Sequence, residues 1–162
     1  MPSAQQLNGL LNRIGNFDPT EFQRNFDKRL VLQKTVYLLQ AFGLNIGYRY
    51  TWYLRGPYSP DLTKVAYSVA TNYDPNAFAG FHETENEERF CKFLIFLGEK
   101  KNDEDWMEIA ASIHFLARLY GEQNKSLVFE KVRGKVGNLS RETFNDIWNR
   151  LCQNGLLARE TT

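Results

Sequence analysis

Residues 29–60 read RLVLQKTVYLLQAFGLNIGYRYTWYLRGPYSP, an apolar run followed by an aromatic segment and a Gly-Pro pair. From Leu30 to Phe42 the apolar side chains Leu30, Val31, Leu32, Val36, Tyr37, Leu38, Leu39, Ala41 and Phe42 cover most of a helical circumference. A helix that is apolar nearly all round belongs in the interior. At about 100° per residue, Arg29, Gln33, Tyr37 and Gln40 fall on one line, so a single hydrophilic stripe runs down this otherwise buried helix. Gly43 follows as a natural terminator. Ile46 to Leu54 is dense in β-formers, with Tyr48, Tyr50, Trp52 and Leu54 on one side and Arg49, Thr51 and Tyr53 on the other, and predicts a strand or a tight hairpin. Gly56-Pro57-Tyr58-Ser59-Pro60 then predicts a rigid turn, a Ser cap and a helix from Ser59 to about Thr71.

Upstream, Leu7, Leu10, Leu11 and Ile14 mark an amphipathic helix over Ala4 to Ile14, interrupted by Gly9 and closed by Gly15. Asp18-Pro19-Thr20-Glu21 is a helix start, with Asp18 as cap, Pro19 at the first position and Glu21 completing a capping box. Phe22 and Phe26 share one face, and a break near Asn25 or Asp27 would let the core helix begin separately. Downstream, 72–81 reads as loop. Thr84 to Leu97 reads as a helix with a Thr84/Glu87 capping box and Phe90, Cys91, Leu94 and Leu97 inward. Asp103 to Tyr120 carries Trp106, Ile109, Ile113, Leu116 and Tyr120 at helical spacing, behind acidic residues that suit a helix N-terminus. Leu127 to Val136 is a shorter helix with Val128, Val132 and Val136 in register. Ser140 caps a last one, Arg141 to Asn154, with Phe144, Ile147, Trp148 and Leu151 inward and Gly155 as the stop.

These elements predict one domain over residues 1–162. Its first part, 1–80, holds the core helix, aromatic strand and Gly-Pro turn, and its second, 84–162, is helical. The fold class is mainly α with a small β hairpin, the last three helices having the texture of a helix-turn-helix or winged-helix-like unit. At 162 residues the chain is long enough for a real core and short for two domains, and 12 Phe, 8 Tyr and 3 Trp speak for a folded chain. A net charge of +1 provides no overall field toward nucleic acid or membrane. No apolar run approaches the ~18 residues needed to span a bilayer and no leader-like segment opens the sequence, which predicts a cytoplasmic protein. Charge is uneven along the chain: nine acidic residues lie between His82 and Glu108, and six basic ones between Lys125 and Arg150.

Chemistry-bearing motifs are sparse. The two cysteines, Cys91 and Cys152, show no CxxC or CxxH spacing and sit on apolar helix faces, which predicts buried reduced thiols. His82 and His114 have no ligand partners at metal-binding spacing, so no metal and no cofactor is expected. The carboxylates Glu83 to Glu88 and Asp103 to Asp105 sit at helix starts, where charge runs are normally solvated. Arg133-Gly134-Lys135-Val136-Gly137 lacks the strand-loop-helix setting of a phosphate loop. A non-enzymatic role follows. Gln33, Lys34 and Tyr37 are read first as hydrogen-bonding partners for the backbone of the Gly-Pro turn. The other reading is a polar pocket shared with Arg55.

The residues Arg29-Leu30, Leu32-Gln33-Lys34 and Tyr37-Leu38, the aromatic segment, and Gly56-Pro57-Tyr58-Ser59 resemble the uncharacterised YwgA-like family and, more distantly, the Panacea domain of the SocA-like antitoxins. The last helix ends in Leu-x-x-x-Gly-Leu-Leu, Leu151 to Leu157, which agrees in texture. The resemblance implies a prokaryotic interaction module, antitoxin-like or adaptor-like, acting on a toxin-like or regulatory partner protein in a defence, toxin-antitoxin or regulatory system. Tyr50, Trp52, Arg55 and Tyr58 are the expected contact residues, since Tyr, Trp and Arg dominate interface anchors. The alternative is a transcriptional regulator that binds double-stranded DNA through Lys131, Arg133, Lys135 and Arg141, because phosphate contacts require clustered cations. Either role is compatible with a homodimer, and neither involves a membrane.

Overall fold

A computed structural model describes residues 3–158. The elements in order are α1 (Ala4–Ile14), α2 (Pro19–Arg24), α3 (Phe26–Ala41), β1 (Thr51–Tyr53), β2 (Gly56–Tyr58), α4 (Pro60–Thr71), α5 (Thr84–Leu97), a 3₁₀ turn (Gly98–Asn102), α6 (Glu104–Tyr120), α7 (Lys125–Lys135) and α8 (Arg141–Gln153). The protein is therefore mainly helical with one small antiparallel hairpin, as the periodicities predict. Capping residues place the starts: Ser3, Asp18, Asn25, Ser59, Asp103 and Ser140 each accept a backbone N–H of the first turn that follows them. Asn25, not Asp27, caps the core helix.

α3 is the hub. It packs along α6, receives α2 and α4, and carries β2 on its side, while α6 in turn supports α7 and α8. α1 lies against α4. α5 joins through rings, with Phe42 of the α3 C-terminus 5.5 Å from Phe93 and 5.2 Å from Phe96. Phe129 of α7 meets Phe144 of α8 edge-on at 5.0 Å, holding the last two helices together across the linker 136–140. One continuous apolar core draws on both halves of the chain, from Leu7 to Leu157. Among the described residues no helix is long and apolar enough to cross a membrane.

The hydrophilic stripe of α3 is what docks the irregular segment. Gln40 Oε1 accepts from Ile46 N and Tyr48 N at 3.2 and 3.0 Å, and its Nε2 donates to Tyr48 O at 2.9 Å. Arg29 donates to Phe22 O and Gln23 O at 3.0 and 3.3 Å, closing the α2 C-terminus. Arg29 and Gln40 thus satisfy backbone that the core would otherwise strand.

Four expectations are corrected. Gly56-Pro57-Tyr58 is a strand rather than a turn: β1 pairs β2 with Thr51 opposite Tyr58, Trp52 opposite Pro57 and Tyr53 opposite Gly56, so Leu54 and Arg55 make the turn. Proline is tolerated there because a two-stranded ribbon has outer edges that require no N–H. On α5 the buried side is Phe90, Phe93, Phe96 and Leu97, so Leu94 is only half-buried and Cys91 faces solvent; phenylalanines outweigh a thiol in the competition for the core. Cys152 is half-buried, so neither thiol is fully enclosed. Thr84 does not cap α5 and Glu83 occupies the cap position without a side-chain bond, because Glu87 is drawn away to Arg13 and to Phe81 N.

Candidate functional site

The turn Leu54-Arg55 hangs beside the α2–α3 junction, and between them lies a cavity of about 550 Å³. Its floor comes from Gln33 and Lys34 of α3 with Gly56 of β2. Tyr58 and Thr63 form one side, and Phe22, Phe26, Arg29, Leu30, Leu32, Tyr53, Leu54, Arg55 and Tyr67 complete the wall. Two successive α3 residues reach the floor because Gln33 follows the hydrophilic stripe while Lys34 is turned toward β2.

The floor is tightly bonded. Gln33 Nε2 donates to Ser59 O and to Thr63 Oγ1, both at 2.8 Å, and its Oε1 accepts from Ser59 N at 2.9 Å. Thr63 Oγ1 donates on to Tyr58 Oη at 2.8 Å. Lys34 Nζ donates to Pro57 O at 2.6 Å, and burial pulls its pKa down to about 8, the nearby Glu108 charge opposing that and Arg55 adding to it. Gly56 is required where it stands. Its φ is +95°, and a methyl group there would lie 2.6 Å from Ser112 Oγ.

Arg55 reaches across to α6, where Nε and Nη2 donate to the two oxygens of Glu108 at 2.8 and 2.9 Å. Glu108 is nearly fully buried, and this bidentate pair is what lets a carboxylate sit in the face of α6. It also pins the hairpin turn to the core.

The rim is apolar and uncovered. Leu54 is 70% exposed, Tyr53 57%, Phe26 54% and Tyr67 40%. These four come from three separate elements and one turn, yet they surround a single opening.

The residues expected to make contacts are divided by this geometry. Arg55 and Tyr58 line the groove, as do Gln33 and Lys34. Tyr50 and Trp52 lie elsewhere: Tyr50 Oη donates to Gln33 O at 3.0 Å with its ring edge-on to Tyr37, and Trp52 stacks on Phe115 at 5.7 Å. Tyr37 joins neither group, its hydroxyl standing 2.7 Å from His114 Nδ1. Burial pushes Tyr37 well above its ordinary pKa and His114 down to about 4, with the Arg118 charge pressing His114 the same way, so the pair meets as neutral groups. Lys131, Arg133, Lys135 and Arg141 are all exposed on α7 and at the start of α8. Lys135 Nζ lies 5.7 Å from the Trp52 ring and Arg141 Cζ 4.5 Å from the Phe129 ring. Among the described residues no group of His, Cys, Asp or Glu side chains is arranged to hold a metal ion.

Sequence reasoning missed Phe26, Tyr53 and Tyr67 as rim residues and Glu108 as the partner of Arg55. Tyr53 could have been found, since it alternates with Trp52 and must face away from Phe115. Glu108 carried a weaker signal, one acid inside the apolar run Trp106 to Ala111.

Fold and site together define a helical domain with an apolar-rimmed, cation-floored groove. Comparison with protein-family models, with curated proteins and with solved structures returned no match.

Proposed function

We propose that this chain is a non-catalytic protein-interaction module that receives a partner protein at the groove between the hairpin turn and the α2–α3 junction. The observation that carries this reading is the cluster of exposed apolar side chains, Phe26, Tyr53, Leu54 and Tyr67, around one opening on a rigidly bonded floor. Aromatic anchors at the rim of a preformed concavity are the usual makings of a binding hot spot. The resemblance to the YwgA-like and Panacea groups adds the setting, a cytoplasmic antitoxin-like or adaptor-like role toward a toxin-like or regulatory partner.

The test is affinity capture from the source cells with the intact chain and with a Tyr53→Ala, Leu54→Ser double variant. Both side chains are exposed, so the variant keeps its fold by circular dichroism. One dominant partner, recovered by the natural chain and lost by the variant, is the expected result. Equal recovery by both overturns the groove as the contact surface.

Duplex DNA binding is the second reading, supported by the exposure of Lys131, Arg133, Lys135 and Arg141 on adjoining helices. It requires affinity that falls steeply with salt, and the interleaved Glu130 and Glu142 work against it.

A further inference from the structure

Three cationic side chains, Arg29, Lys34 and Arg55, line the groove, and no Asp or Glu does. Lys34 is 1% exposed, yet among the described residues its ammonium bonds only to Pro57 O and no carboxylate lies within 4.0 Å of it. An ammonium has three donors, so two are unused. Glu108, the nearby acid, has both oxygens engaged by Arg55, whose Nη1 in turn has no bond to another side chain or backbone group among the described residues. A buried cation with donors to spare is costly in a finished core. Here Lys34 lines an opening whose surface is mostly apolar. Asp27 and Glu104 also act on Arg55, but neither lines the groove.

Resting on the groove as the docking surface, we infer that its occupant is an apolar segment of a partner protein that brings an Asp or Glu carboxylate onto Lys34 and Arg55. The carboxylate takes the unused N–H groups, and the neighbouring apolar side chains of the segment lie on Tyr53, Leu54, Phe26 and Tyr67. A small free acid would meet the same donors but leave that rim uncovered, so a chain segment matches the surface better.

Panning a random-peptide library on the intact chain, then titrating the enriched peptides, tests this. The enriched peptides are expected to join an acidic residue to aromatic or branched apolar ones, and amidation of that acid should weaken binding about tenfold or more. Lys34→Met should cause the same loss and should no longer distinguish acid from amide. Because Lys34 is buried, Leu54→Asp and Leu54→Lys provide a second comparison at an exposed site, the first weakening and the second strengthening the acidic peptide. Enriched peptides without an acid, or equal binding of acid and amide to the natural chain, overturn the carboxylate while leaving the groove as a docking surface. If no peptide is enriched, or if peptides bind undiminished to the Tyr53→Ala, Leu54→Ser variant, the groove reading falls and this inference with it. Saturable binding of sodium octanoate that is abolished by Lys34→Met, with no peptide enriched, overturns it in favour of a small carboxylic acid.

Discussion

Lys34 and His114 are buried bases that hold their protons less tightly in the folded chain than in the unfolded one. For Lys34, with its pKa near 8 against an ordinary 10.5, the unfolded chain binds the extra proton between those values, so stability climbs as pH rises through that window. The gain is about 3 kcal/mol at most. Urea titrations of the natural chain and of Lys34→Met at successive alkaline pH values should show the climb in the first and its loss in the second. The same sign applies to His114, held near 4 against 6.5: the stability it provides is complete above about 6.5 and lost as pH falls toward 4. Arg55 acts in another way. Arg55→Ala strands the buried Glu108 carboxylate and should cost about 2 kcal/mol, the exposed side of the pair being discounted for solvent. An Arg55→Met, Glu108→Leu double variant should recover most of that loss, and thermal denaturation of the three proteins measures both.

At the level of elements, α1 and the loop 72–83 depend on a missing side chain. Gly9 is buried in the middle of α1, and a methyl group on it would collide with Ala79 N and Phe78 C. Gly9→Ala should therefore lower stability by about 1–3 kcal/mol through overpacking, although alanine is the better helix former. A midpoint shift in urea to lower concentration checks it. By propensity alone Gly9 interrupts the helix, since propensity registers the glycine and not what rests against it. Most helix boundaries were legible all the same, since Asp18, Ser59, Asp103 and Ser140 announce themselves by residue type and position. The inward face of α5 was legible only in part. Phe90 and Leu97 are buried as their spacing predicts, whereas Phe93 and Phe96 take the places expected of Cys91 and Leu94, with the ring of Phe42 on both and that of Trp106 on Phe96. The candidate site was half legible. Gln33, Lys34, Arg55 and Tyr58 stood out as polar or aromatic residues in an apolar stretch, whereas Phe26 and Tyr67 reach the groove only through the packing of α2, α3 and α4.

On the scale of the whole molecule, α3 and α6 form the axis: α2 and α4 are tied to α3, α7 and α8 to α6, and α1 joins through α4. The hairpin belongs to both, through Lys34 on one side and Glu108 on the other. The loop 72–83 has a different kind of attachment. Asn8 Nδ2 and Asn12 Nδ2 each donate to Asp74 O at 3.0 Å, Asn12 Nδ2 donates to Ala77 O at 2.9 Å, and Arg13 reaches Ala79 O and Glu87. These bonds join residues more than 60 positions apart and bury little apolar surface of their own. Their closure rewards the chain only after α1 has found α4, so they belong to the downhill side of the folding barrier. Asn12→Ala should then leave the refolding rate nearly unchanged and put its whole cost, about 1 kcal/mol, into faster unfolding, which the two arms of a chevron separate. The clasp of α1 on this loop acts as a latch on the lifetime of the folded chain rather than as a guide to how it is reached.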